Sequence, residues 1–130
     1  MEEVNSNKNP RVIIVQKLYG QYLNKDERIE FKKHRYKKLI KTIVYGTLER
    51  RDLIEQTIKT HLNDDIDFKR TEKLLIIFLH AAVFEFLYRP ETSINIIINE
   101  YLNSSSFFLD SSQKKYLNAL LDKLSKKIRS

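Results

Sequence analysis

The sequence predicts an all-α fold, a compact helical bundle of about six or seven helices. Three observations predict it. Apolar residues recur at three- and four-residue steps through most of the chain. Two Gly and two Pro in 130 residues supply too few turns for a fold built of hairpins. Leu74 to Leu87 is apolar on almost every side and longer than a buried strand, which marks a helix covered by neighbours all round.

The first helix is expected over residues 10 to 23, where Val12, Val15, Tyr19, Tyr22 and Leu23 make an apolar stripe. Pro10 suits its first turn, since that N–H has no partner within a helix. After a charged connector, residues 30 to 48 carry Tyr36, Leu39, Ile40, Ile43, Val44 and Leu48 on one face and five lysines mostly opposite. Leu53, Ile54, Ile58 and Leu62 continue the rhythm beyond a break between Glu49 and Asp52. Asn63 to Asp67 reads as a turn, with Asp65 or Asp67 as N-cap of a central helix over residues 68 to 88. Arg89-Pro90 ends that helix. Thr92 or Ser93 caps the next, striped by Ile94, Ile97, Ile98, Tyr101 and Leu102, whose last turn Ser104 to Ser106 weaken. Asp110 to Ser112 caps a final helix in which Leu117, Leu120, Leu121, Leu124 and Ile128 face inward.

The net charge of +7 is unevenly spread: residues 31 to 51 carry +7, residues 93 to 130 carry +3, residues 52 to 92 carry −3, and the first thirty balance. Two basic zones beside an acidic one fit a polyanionic partner, and equally a solvated surface. The absence of Cys excludes disulfides and thiolate metal sites and fits a reducing compartment. Met1 to Asn9 lacks the apolar core of a signal peptide, and no apolar run is long enough for a membrane span.

Catalytic and cofactor chemistry finds no foothold. His34, His61 and His80 show no i, i+4 pairing and have no Cys partners, so no metal site is expected. Gly20 and Gly46 are too far apart for a phosphate-cradling loop, and no cofactor is expected. Asp64 and Asp65 lie in a polar turn, where capping a helix is the simpler role. The expectation is a binding protein and not an enzyme.

Two C-terminal segments carry the most specific signal. Ile97-Ile98-Asn99-Glu100 and Lys115-Tyr116-Leu117-Asn118-Ala119-Leu120-Leu121-Asp122 resemble the paired "INEA" and "KFVNGVLD" signatures of the NusB family of transcription antitermination factors. Arg11 to Tyr19 is similar to the family's "AR..A.QaLY" opening, Leu39 to Leu48 with Gly46 to its "F…L..GV" segment, and Leu79 to Phe86 to "LRiA.yEL". The ordered set runs from Pro10 to Lys127. Departures are also plain. The Arg-rich stretch before helix one is reduced to Lys8 and Arg11, and the Arg of "LRiA" is His80. The Pro ahead of "INEA" is Ser93, its final Ala is Tyr101, and the Gly of "KFVNGVLD" is Ala119.

The resemblance implies two small helical bundles packed together. Residues 10 to 130 would form a single RNA-binding helical domain, and residues 1 to 9 a flexible N-terminal tail. It implies a cytoplasmic bacterial factor that pairs with NusE, a small-subunit ribosomal protein, on a single-stranded boxA element of ribosomal RNA leaders. NusA, NusG and RNA polymerase complete the larger complex. A similar domain begins some ribosomal RNA cytosine methyltransferases, which would require a cofactor-binding domain beyond Ser130. The alternative is an interaction module that binds NusE with little RNA affinity of its own.

Carried over position by position, Lys8 and Arg11 would meet RNA phosphates. Lys115, Tyr116, Asn118 and Phe108 would line the rest of the RNA surface. Tyr116 would stack on an unpaired base or sit half-buried in the core, and Phe108 would lie near RNA or plug the core. Tyr19 would face NusE or complete the helix-one stripe. Glu85, Asn99 and Glu100 read as structural polar groups between the bundles. The lysines from Lys32 to Lys41 read as a solvated face, with non-specific RNA steering second.

Overall fold

A computed structural model describes residues 8–62 and 64–129. Among them the chain forms six helices and no strand: α1 Pro10–Leu23, α2 Lys37–Glu49, α3 Arg51–Leu62, α4 Lys73–Tyr88, α5 Ile94–Ser105 and α6 Ser111–Ile128. The expected tail lies, for residues 1–7, outside the described residues, as does Asn63 of the expected turn.

Helix α1 begins where Pro10 predicts. Asn9 is its N-cap, its Oδ1 accepting from the backbone N–H of Arg11 at 2.9 Å and of Val12 at 3.4 Å. The buried arc differs from the expected stripe. Val12, Val15 and Tyr22 are buried, but Ile14 and Leu18 are the other core residues, while Tyr19 is 37% and Leu23 61% exposed. The helix packs against α2, α4 and α5, and that set of neighbours selects the arc through Arg11, Ile14, Leu18 and Tyr22.

Helix α2 starts at Lys37, seven residues later than expected. Between Glu30 and Lys38 only Phe31 and Tyr36 are apolar, so a helical turn there would bury little and lack stabilising contacts. The segment instead lays Phe31 against Tyr45, ring centroids 5.5 Å apart. The predicted break falls at Arg50, between α2 and α3. Asp67 does not cap α4. It closes a local turn, its Oδ1 accepting from Lys69 N at 3.0 Å and its carbonyl from Thr71 Oγ1 at 2.6 Å, so the central helix begins only at Lys73.

Helix α4 is the axis of the molecule. It touches all five other helices, and every residue from Ile77 to Phe86 is buried. The triplets α1–α3 and α4–α6 meet along it, and the buried apolar side chains form one cluster. Where α2 crosses α4, Gly46 gives the Phe84 ring room: a Cβ there would run into two of its ring carbons, so the ring would have to shift. Ser93 caps α5 through Ile96 N at 3.3 Å. Asp110 and Gln113 cap α6 reciprocally, Gln113 N donating to Asp110 Oδ1 at 2.8 Å and Asp110 N to Gln113 Oε1 at 3.0 Å. Just past α6, Arg129 reaches back to the open end of α4. Its guanidinium donates to the carbonyls of Phe86 at 2.9 Å, Thr92 at 2.6 Å, Glu85 at 3.1 Å and Arg89 at 2.9 Å. Glu85 O also accepts from Arg89 N and Arg89 O from Thr92 N, both at 3.0 Å, so the guanidinium reinforces the turn that closes the helix.

Candidate nucleic-acid interface

The start of α1, the end of α5 and the start of α6 converge. Asn9 Oδ1, already capping α1, also accepts from Ser104 Oγ at 3.2 Å. Ser104 Oγ also reaches Glu100 O at 2.8 Å, so its single proton is shared between the two acceptors, and the tether sits on the last turn of α5. From there the chain turns through Ser106, Phe107 and Phe108 into α6, and Lys114 Nζ donates to Ser106 Oγ at 2.6 Å. Exposed Lys8 lies next to the tethered cap, and Phe107, 38% exposed, lies on the turn. Lys115 and Asn118 are exposed one turn apart on α6. The ensemble offers cations for phosphate, an amide for base edges and an open ring for stacking.

Not every expected site residue belongs to this surface. Arg11 is buried. Its Nη2 lies 2.7 Å from Glu85 Oε1 and its Nε 3.2 Å from Oε2, a two-pronged pair, with Glu100 Oε1 3.5 Å from Nη1. Burial pulls the Arg11 pKa down, but Tyr101, Glu85 and Glu100 more than restore it, and the group stays charged. Meeting a phosphate would strip Glu85, wholly buried, of its closest partner and leave it Arg89 Nε at 3.5 Å. The expected phosphate contact is therefore corrected to an internal ion pair.

Phe108 is half-buried, its ring edge-on to Phe78 at 5.9 Å, which leaves Phe107 as the open ring of the loop. Tyr116 is 41% exposed but points to the α3–α4 connection, its hydroxyl donating to Asp65 O at 2.7 Å. Lys123 clasps the Asp65 carboxylate from the next turns of α6. Tyr19 stands on the outer face of α1. Glu85 is buried and Glu100 partly so, as structural groups would be, whereas Asn99 is exposed.

His80, which stands where the family has Arg, is fully buried and cannot face RNA. Its Nδ1 lies 2.8 Å from Tyr22 Oη, and its Nε2, buried without a hydrogen-bond partner, lies 3.4 Å from Glu55 Oε1. Burial, with the nearby Arg51 guanidinium, lowers its pKa to about 3, so the ring is neutral and the Glu55 contact is not an ion pair. Arg51 in turn covers the Tyr22 ring, 3.7 Å from its centroid. Burial raises the Tyr22 and Tyr101 hydroxyls above the ordinary tyrosine value, so both remain protonated.

The Asn9–Ser104 tether, Phe107 and Lys114 were not singled out from sequence as interface residues. A signal existed for the first, since Asn immediately before Pro and a helical stripe is a cap pattern. Its second partner lies 95 residues away and leaves no local trace. Among the described residues no group of acidic and His side chains could hold a metal ion, and no helix is long and apolar enough to cross a membrane.

Comparison with known proteins agrees across sequence and shape. The sequence model of the NusB family matches residues 2–126. A protein of Rhizobium etli named transcription antitermination protein NusB is 31% identical over 90 residues, 69% of this chain and 56% of that protein. Its namesake in Mesorhizobium japonicum is 29% identical over 89 residues, 68% of this chain and 57% of the relative. The chain thus aligns with little more than half the length of these relatives. A solved structure of T. maritima NusB superposes with a TM-score of 0.78 over 92% of this chain and 90% of that one, at 18% identity, which establishes a shared fold.

Proposed function

Since the chain belongs to the NusB family, we propose that it is a transcription antitermination factor that binds boxA-type single-stranded RNA together with NusE. In this reading it is a non-enzymatic adaptor of the bacterial cytoplasm. It joins NusA, NusG and RNA polymerase and keeps transcription of ribosomal RNA operons processive. The observation that carries the reading is the Asn9–Ser104 tether, which brings the start of α1, beside exposed Lys8, onto the end of α5 and the Phe107 turn into α6, where Lys115 and Asn118 are exposed. Lys8 and Lys115 neutralise phosphates, Asn118 reads a base edge, and Phe107 stacks on a splayed base. Arg11 and Phe108 act from below, holding α1 and the α5–α6 turn in register. Tyr116 borders the surface through its tie to Asp65, and Tyr19 contributes to the NusE contact.

Fluorescence anisotropy of a labelled boxA-type RNA and a scrambled control, with and without NusE, tests this. Sequence-selective, salt-sensitive binding that tightens with NusE is expected. A formed pair with NusE and no selective binding would leave the second reading, an interaction module with little RNA affinity of its own. The withdrawal of Arg11 from the surface is the observation that favours that reading.

A further inference from the structure

The α1–α2 connection folds over α1 and encloses a groove of about 330 Å³ that the proposed boxA contact does not use. Lys17 of α1, Lys32, Lys33 and His34 of the connection and Lys37 at the start of α2 line it, with Phe31 forming one wall. No acidic side chain lines it; Glu27 and Glu30 line the neighbouring depression instead. Among the described residues none of the four lysines forms an ion pair. Four like charges gathered around one concavity, with no carboxylate among them, cost self-repulsion that a bound polyanion would relieve.

The local fold explains the gathering. Residues 31 to 34 are not helical, so Lys32 and Lys33 both reach the rim instead of fanning around a helix. Phe31 anchors the segment on Tyr45, with Lys41 Nζ over its ring, 5.8 Å from the centroid. His34 Nδ1 accepts from Tyr36 N at 2.9 Å, which leaves Nε2 as a donor. Helix α2 starts here with no side-chain cap at Tyr36, so the positive end of its dipole adds to the field.

Position selects the occupant. Ile13, also in the lining, is four residues along α1 from the Asn9 cap, about 6 Å of helix rise. A strand held at Lys8 therefore reaches the groove within about one turn of α1. We infer that the groove takes the phosphodiester backbone of the RNA segment flanking the boxA-type element, as a second, sequence-independent contact. The inference rests on the RNA-binding reading above.

The test uses the full chain with NusE and labelled RNAs of two kinds: the core element alone, and the core extended by a few nucleotides on its 5′ or 3′ side. Wild type is compared with the triple variant Lys32→Gln, Lys33→Gln, Lys37→Gln, all exposed side chains whose loss leaves the core intact. One extension is expected to tighten wild-type binding several-fold. The variant should bind the core as wild type does but lose that gain. The slope of log K against log salt for the extended RNA should fall by roughly 2, at about 0.7 per phosphate on single strands. Equal affinities and slopes for variant and wild type on both extended RNAs would overturn the inference while leaving the core contact standing. No binding of either RNA by wild type would overturn the underlying reading and this inference together. A polyglutamate competitor supplies the remaining arm. If it binds wild type but not the variant, while the extended RNA does not distinguish them, the groove takes acidic polypeptide and the inference fails.

Discussion

Arg11 and Glu85 stand 74 residues apart in sequence and 2.7 Å apart in space, a buried pair that bolts α1 to the central helix. Tyr101 adds its ring face, 5.7 Å from the guanidinium carbon, and Glu100 a second carboxylate at the rim. Removing Arg11 leaves Glu85 charged and dry, with only the more distant Arg89 Nε, 3.5 Å away, as a cationic partner. Arg11→Ala should therefore destabilise the fold by about 3–5 kcal/mol, and Arg11→Met with Glu85→Leu should recover much of that loss. Urea unfolding of the three proteins checks it. An Arg11→Ala protein of normal stability that has lost RNA affinity would return Arg11 to the surface role.

His80 makes stability depend on pH. Its folded pKa of about 3 lies below the ordinary imidazole value of 6.5, so as pH falls the unfolded chain takes up the proton first. The contribution is complete above pH 6.5 and is lost progressively as pH falls toward 3. Its slope reaches about 1.4 kcal/mol per pH unit for one proton. Unfolding midpoints at pH 7, 6 and 5 should fall more steeply for wild type than for His80→Gln. Parallel profiles would mean that the ring is already charged in the folded protein.

The two glycines should respond oppositely to a methyl group. Gly46→Ala drives a Cβ into the Phe84 ring and should cost about 1–3 kcal/mol. Gly20 is helical and has nothing within 4 Å of an added Cβ, so Gly20→Ala should gain about 0.5–1 kcal/mol. Thermal melts of the pair decide the matter, and a stabilised Gly46→Ala would contradict the crossing geometry.

Neighbouring phenylalanines should separate binding from folding. Phe107→Ala should weaken RNA binding by about 1–3 kcal/mol with little change in melting temperature. Phe108→Ala should lower the melting temperature by opening the contact with Phe78. The reverse pattern, read by anisotropy and by melting, would move the stacking ring to Phe108.

Arg129→Ala should cost about 1.5–3 kcal/mol, because four carbonyls lose a charged donor. Arg129→Lys should restore little of it, since an ammonium cannot span all four as the planar fork does. Unfolding midpoints equal to wild type in both variants would reduce the clamp to a surface contact.

What sequence shows and hides follows from how far apart partners lie. The bounds of α1, the break at Arg50, the cap at Ser93 and the box at Asp110 are set by residues within a turn of each other, so local pattern reveals them. The start of α2 escapes local pattern because lysines between apolar residues look like a helix face whether or not the backbone coils. Arg11 reads as an exposed cation for a related reason: nothing near it announces Glu85. His80 reads as a lost surface cation because Tyr22, 58 residues away, is what gives it a place in the core. The candidate interface was half legible. Lys8, Lys115 and Asn118 are exposed as their polarity predicts. The choice between Phe107 and Phe108 depends on Phe78, which only packing supplies.

The clamp at Arg129 also sets an order of events on the ribosome. Its guanidinium is synthesised 40 residues after the Arg89 carbonyl that it binds. At about 5–20 residues per second, the end of the central helix waits about 2–8 s for its final donor. During that interval water must stand in for the guanidinium. The latch that secures the axis of the molecule is thus delivered only after all six helices have been synthesised.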